Sequence, residues 1–90
     1  MKESDLIKKI LKYLNSLPQC KAIKRHGGAF GRAGEPDITG CISGKHFEIE
    51  VKVPGKQPTV IQHKRLLEWR EAEAMSFWTD NLELVKHFIN

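Results

Sequence analysis

The stretch that decides the reading is Glu35-Pro36-Asp37-Ile38-Thr39-Gly40-Cys41-Ile42-Ser43-Gly44-Lys45-His46-Phe47-Glu48-Ile49-Glu50-Val51-Lys52-Val53. Two segments of strand character, Asp37 to Ile42 and Lys45 to Val53, flank a Ser43-Gly44 dipeptide of the kind that makes a two-residue hairpin turn. With that turn, Ile42 lies opposite Lys45, Gly40 opposite Phe47, Ile38 opposite Ile49 and Asp37 opposite Glu50. A register one residue away mixes apolar and charged side chains on both faces, so the hydrophobic pattern selects the first pairing. One face of the hairpin is then core, and the other carries Asp37, Thr39, Glu48, Glu50 and Lys52.

Directly opposed residues on adjacent strands hold their Cβ atoms about 4.5–5.5 Å apart, where two carboxylates repel each other. Something positive belongs between Asp37 and Glu50. A divalent cation meets that need, because Mg²⁺ takes oxygen ligands at about 2.0–2.1 Å, commonly one or two carboxylates completed by waters and phosphate oxygens. Strand alternation turns Lys52 to the same side as Glu50. An ammonium there can orient or help deprotonate an attacking water and stabilise charge developing on a phosphate. The plainer alternative is a solvated face bearing surface ion pairs worth about 0–1 kcal/mol. The forced opposition of Asp37 to Glu50 and the wholly apolar opposite face make the metal site a serious alternative, and the residues alone leave both readings open.

Working outward, Pro36 introduces the first strand where a missing amide donor is tolerated, and Pro54-Gly55-Lys56-Gln57-Pro58 closes the second. Upstream, Leu6, Ile7, Ile10, Leu11 and Leu14 repeat at helical spacing, with Ser4 as the expected N-cap and Asn15-Ser16-Leu17-Pro18 as the stop. Residues 21–26 read as a short strand, followed by the glycine-rich loop Gly27 to Gly34, too irregular for a Walker or dinucleotide motif. Downstream, Thr59 caps a helix to about Ala74, with Val60, His63, Leu67 and Ala74 along its apolar stripe. Met75 to Thr79 reads as a buried strand, and Asp80 or Asn81 caps a last helix holding Leu82, Leu84, Val85, Phe88 and Ile89. The order α-β-β-β-α-β-α predicts an α/β sandwich around a mixed sheet.

Ninety residues bury only about 60–65% of their unfolded surface, so one domain spanning residues 1–90 is expected, its stability modest enough for a second copy to help. The chain is 40% hydrophobic and 29% charged, the balance of an ordinary soluble domain. No apolar run approaches the roughly 20 residues of a membrane span. Met1 to Asp5 leads directly into helical periodicity without the apolar core of a signal peptide, so a cytoplasmic location is expected. Cys20 and Cys41 lack CxxC spacing and a neighbouring histidine cluster, which argues against structural zinc. A net charge of +4 suits a polyanionic partner, though many small basic proteins bind no nucleic acid.

Pro36-Asp37 followed by Glu50-Val51-Lys52 in this strand context resembles the PD-(D/E)XK nuclease superfamily, whose fold is restriction-endonuclease-like. Within it the chain is similar to the virus-type replication-repair nuclease (VRR-NUC) domains. The features that match are Glu3 near the start of the first helix, the Gly34 to Ile38 entry, Phe47 to Lys52, and Thr59 to Gln62 opening a helix. The resemblance spans essentially the whole chain, as a stand-alone minimal form. It implies Mg²⁺- or Mn²⁺-dependent hydrolysis of DNA phosphodiester bonds, often in branched or junction structures such as Holliday junctions, in replication, repair or recombination, by a homodimer. It implies that Asp37 and Glu50 bind the metal, with the Val51 carbonyl a further ligand and Glu3 completing or backing the site. It also gives Lys52 a catalytic role and Gln62 a contact with site or substrate.

Lys24, Arg25, Arg32, Lys45 and Lys56 are candidates to grip phosphates without reading bases, or else they are a solvated surface. Phe30 either stacks on an exposed base or packs on its own domain, the commoner outcome for a loop phenylalanine. Of His26, His46, His63 and His87 only His46 shares the active face, and none is needed for catalysis. Trp69 and Trp78 are expected in the core or at a contact between copies. The rival to a nuclease is a catalytically inert nucleic-acid-binding module of the same fold, disfavoured because a binder gains nothing by crowding carboxylates where phosphate must approach. A second rival is a small basic interaction domain with no nucleic-acid role, which strongly salt-dependent DNA binding would exclude.

Overall fold

The computed structural model describes residues 1–26 and 31–89. Its elements are α1 (Glu3–Leu14), β1 (Cys20–Lys24), β2 (Ile38–Ile42), β3 (Lys45–Val51), α2 (Val60–Glu71), β4 (Met75–Thr79) and α3 (Leu82–Ile89), the order read from the sequence. The four strands form one sheet in the order β1-β2-β3-β4. The β1–β2 and β2–β3 pairs are antiparallel, and β3–β4 is parallel across the α2 crossover.

The hairpin register is the expected one, with Ile38 opposite Ile49, Gly40 opposite Phe47 and Ile42 opposite Lys45. Ser43 and Gly44 both adopt positive φ, 49° and 83°, as the tight turn whose twist matches the flanking strands demands. Gly40 has a different role. A Cβ there would lie 2.3 Å from the Lys21 carbonyl oxygen and 2.5 Å from Phe47 Cζ, so the Phe47 ring lies flat across the bare backbone of β2.

The apolar face of the sheet is covered by α1 and α3. Leu6, Ile7, Ile10 and Leu14 of α1 and Val85 and Ile89 of α3 close on Ala22, Ile38, Phe47, Ile49, Val51 and Phe77. The first helix starts two residues earlier than Ser4 as N-cap would dictate. Lys2 is its N-cap, and Asp5 accepts from the Lys2 amide at 3.3 Å, because a carboxylate in the first turn meets an orphan donor and the positive helix end together. At the end of α1, Asn15 both donates to and accepts from the backbone of Ala22, which occupies hydrogen-bonding groups of edge strand β1. Asn81 settles the cap of α3: its Oδ1 accepts the Leu84 amide at 2.8 Å.

Helix α2 corrects the sequence reading. Thr59 is its N-cap, but the expected apolar stripe faces outward, with Val60 88% and Leu67 49% exposed and His63 exposed beside them. The buried side holds Arg65 and Leu66, with Trp69 half-buried, and this side packs on β3 and β4. The reason is the surface beneath it. Glu48, Glu50, Ser76 and Trp78 form the polar side of those two strands, so the helix docks with groups that can hydrogen-bond. Ser76 Oγ donates to the Leu66 carbonyl at 3.0 Å, and Arg70 donates to the Ser76 carbonyl at 2.9 Å.

Candidate metal centre

Asp37 lies one residue ahead of β2, and Glu50 is the penultimate residue of β3. The hairpin therefore brings them together at the open end of the sheet, away from its own turn. The Val51 amide donates to Asp37 Oδ2 at 2.9 Å, which points that carboxylate at the end of β3. Glu50 is only 1% exposed, so the solvated-face alternative does not hold here. Its Oε1 is buried without a hydrogen-bond partner among the described residues. An unsatisfied buried carboxylate oxygen is costly, and it is a donor of the kind that a hard cation takes.

Burial is the main cause that raises the Glu50 pKa from its ordinary 4.5 to about 9. The Asp37 charge raises it next, then a hydrogen bond shared with Asp37, with Lys52 opposing and Glu3 adding. Glu50, buried beside the Asp37 charge, is therefore the carboxyl that keeps its proton at neutral pH, since burial and a like charge at close range both disfavour its ionised form. Lys52 Nζ lies 3.8 Å from Glu50 Oε2, and this contact is an ion pair only once that proton has left. The Lys52 side chain is 15% exposed and its backbone amide donates to the Thr79 carbonyl at 2.9 Å. Strand β4 thus extends the ladder by one residue and holds the lysine beside the carboxylates.

Asp37, Glu50, Lys52 and, through its charge, Glu3 are therefore brought together. Among the described residues no three His, Cys, Asp or Glu side chains could jointly hold a metal ion. The donors that fit a divalent cation are the two carboxylates, with oxygens from backbone, water or substrate making up the rest. Gln62 sits in the first turn of α2, where its Oε1 accepts the Thr59 amide at 2.8 Å and its own amide reaches Thr59 Oγ1 at 3.3 Å. The capping box occupies the side-chain oxygen expected at the site.

The basic candidates are divided. A cleft of about 480 Å³ beside Asp37 is lined by Arg25, His26, Arg32, Gly34 and Pro36 among others. Arg32 is exposed there and loosely paired with Glu68 at 3.4 Å. Lys24 ends β1 and is exposed, but its pairing with Ile38 puts it on the α1 face of the sheet, away from the carboxylates, and Lys56 is exposed in the turn after β3. Lys45 is at the opposite end of β3, where its ammonium donates to the Glu73 carbonyl at 2.7 Å. Arg25 is engaged by the protein itself, with Glu48 and the Pro36 carbonyl. Phe30 and Gly27 to Ala29 lie outside the described residues. Cys20 and Cys41 are free thiols, and among the described residues no helix is long and apolar enough to cross a membrane.

What the sequence reading missed is the cluster beside the carboxylates. Glu48 is fully buried with Arg25, Thr39 and His46 around it, and Trp69 stacks on His46 at 5.0 Å. Alternation placed Glu48 on the polar face. The β3–α2–β4 crossover was the available signal that a helix would cover it.

No family model matches the sequence, and no curated protein matches it significantly. Solved structures do. One named "VRR_NUC domain" superposes with a TM-score of 0.80 at 22% identity, over 97% of this chain and 92% of that one. A second, "VRR_NUC domain protein", gives 0.76 at 16% identity, over 99% and 85%. This chain has the fold of these two VRR_NUC structures, a restriction-endonuclease-like α/β fold.

Proposed function

We propose that the chain is a Mg²⁺- or Mn²⁺-dependent DNA endonuclease in which Asp37 and Glu50 hold the cation and Lys52 serves the chemistry. The observation that carries this reading is the Glu50 carboxyl, buried beside Asp37 with one oxygen unsatisfied and held protonated by its surroundings. A stable fold has little use for such a pair, whereas a cation site needs it. The cation would supply polarisation of a phosphate oxygen and a lowered pKa for water.

The residues do the rest. Asp37 is aimed by the Val51 amide, and Glu50 would have to give up its proton to serve as a ligand. That leaves Lys52 in a mostly buried position, where its ammonium orients the water and offsets charge on the phosphate. Val51 would add its carbonyl, Glu3 would back the site with negative charge, and Gln62 would meet substrate only by leaving its cap. Arg32 and Lys56 border the approach for the DNA backbone.

Branched or junction DNA, in replication, repair or recombination, is the proposed substrate, and an intracellular homodimer with residues 1–90 as one domain is the proposed form. The outward Val60 and Leu67 of α2 offer apolar surface to a second copy. The test is cleavage of linear, flap, splayed and four-way-junction DNAs in Mg²⁺, Mn²⁺ or EDTA, with the mass measured by light scattering. Metal-dependent cutting strongest on branched forms, by a dimer, is expected. Binding without cutting under every condition would put the inert module in its place.

A further inference from the structure

We infer that Arg25 and Glu48 are positioning residues that fix Asp37 against Glu50, and that Arg25 acts in this way and is not a phosphate contact. The inference rests on the metal-centre reading above for its purpose, though its geometry stands independently.

The Pro36-Asp37 peptide lies outside the β2 ladder, which begins at Ile38, so the sheet alone does not fix it. Arg25 grips it twice. Its backbone amide donates to the Asp37 carbonyl at 2.7 Å, and its guanidinium Nη1 donates to the Pro36 carbonyl at 2.7 Å. The same Nη1 lies 2.6 Å from Glu48 Oε1. Glu48 in turn is two residues from Glu50 on β3, is 0% exposed and has both oxygens engaged: Thr39 Oγ1 donates to Oε2 at 2.5 Å, and His46 Nε2 lies 2.6 Å from the same oxygen. Helix α2 covers the assembly. The Trp69 ring stacks on His46 and lies 5.7 Å from the guanidinium carbon, while its Nε1 donates to Glu35 Oε1 at 3.3 Å.

These contacts close a circuit. From Glu48 on β3 it runs through Arg25 to the backbone of Asp37, and from the Asp37 carboxylate through the Val51 amide back to β3. Both carboxylates of the centre are thereby referred to one strand. A buried ion pair is a weak device for stability, since apolar replacements often do as well. Its value here is geometric, as for the groups that orient metal ligands from behind. Arg25 suits the task because Nη1 of a planar, rigid guanidinium holds its two N–H donors in fixed directions, one to the carboxylate and one to the carbonyl, where a lysine ammonium on its flexible stem turns freely. With its charge set against a buried carboxylate, it has little to offer a phosphate.

Arg25→Lys tests this, keeping the charge and losing the fork. In metal-free protein, NMR hydrogen exchange of the Val51 amide is expected to speed up about tenfold relative to the other β3 amides. Mn²⁺ affinity, by calorimetry or electron paramagnetic resonance, is expected to fall about tenfold, the low end for a group behind a metal ligand. In an Asp37→Asn background the same change costs no further Mn²⁺ affinity, a non-additivity that general loosening of the fold does not produce. The salt dependence of DNA binding in EDTA stays as in the wild type, in Arg25→Ala as well. Glu48→Gln is the second variant and shifts the Val51 amide and Mn²⁺ affinity the same way. Unchanged Val51 exchange in Arg25→Lys, together with a salt slope reduced by about one in Arg25→Ala, which removes the charge, would overturn the inference and make Arg25 a phosphate contact. A wild type that binds no Mn²⁺ would sink the metal reading alone, and the Val51 amide would still decide on the positioning.

Discussion

Glu50→Gln should make the metal-free protein more stable while disabling the centre. The folded-state pKa of Glu50, about 9, lies above its ordinary 4.5. Between those values the folded protein holds a proton that the unfolded chain has released, so stability falls as pH rises from 4.5 towards 9. Each pH unit in that window contributes at most about 1.4 kcal/mol, which makes the deficit near pH 7 on the order of 3 kcal/mol. Glutamine does not titrate, has nearly the same volume, and its amide can donate to Asp37 as the protonated carboxyl does. The variant is therefore expected to gain on the order of 3 kcal/mol near pH 7, raising Tm by about 10 °C or more for a domain of this size. The gain shrinks towards zero near pH 4.5. The assay is thermal and urea unfolding in EDTA across that range, with Mn²⁺ then added. The cation should stabilise the wild type by mass action and leave the variant unmoved. A variant less stable than wild type at pH 7, or a gain equal at both ends of the range, would refute the reasoning.

Three further outcomes follow from the same geometry. Cation binding should release about one proton per site below pH 9, because the ligand must ionise; calorimetry in buffers of differing ionisation enthalpy reads the number, and no buffer dependence would contradict the proton held on Glu50. Gly40→Ala should destabilise by about 1–3 kcal/mol, as overpacking does, since the new Cβ meets the Lys21 carbonyl and Phe47; denaturant unfolding measures it. Lys45→Ala should leave DNA affinity and its salt dependence unchanged, because Lys45 binds the Glu73 carbonyl far from the carboxylates, whereas Arg32→Ala should reduce the salt slope by about one; fluorescence anisotropy at graded salt compares them.

The hairpin was legible because the requirement that one face be buried leaves a single register for Ile38, Phe47 and Ile49, and that register carries Asp37 to Glu50. Helices α1 and α3 were legible because each packs an apolar stripe on an apolar face. Helix α2 was not, since a stripe of Val60 and Leu67 says nothing about which side meets the sheet when the sheet offers Glu48, Glu50 and Ser76. The same gap hid the cluster around Glu48, whose burial depends on a helix twelve residues long that crosses over it. Arg25 looked like a surface cation because side-chain partners distant in sequence, Glu48 and Pro36, leave no local signature. Gln62 shows the converse limit: its position in the helix was clear, but its use in the cap depends on Thr59.

The most direct test of the central claim is single-turnover cleavage of labelled DNA by wild type, Asp37→Ala and Lys52→Ala, in Mg²⁺, Mn²⁺ or EDTA, with DNA affinity measured in parallel. The account requires cutting that EDTA stops. It also requires a fall of about 10²–10³ in rate for Lys52→Ala, the scale of losing one transition-state donor, at nearly unchanged affinity. Cleavage by Lys52→Ala at the wild-type rate, or cutting that persists in EDTA, would contradict it.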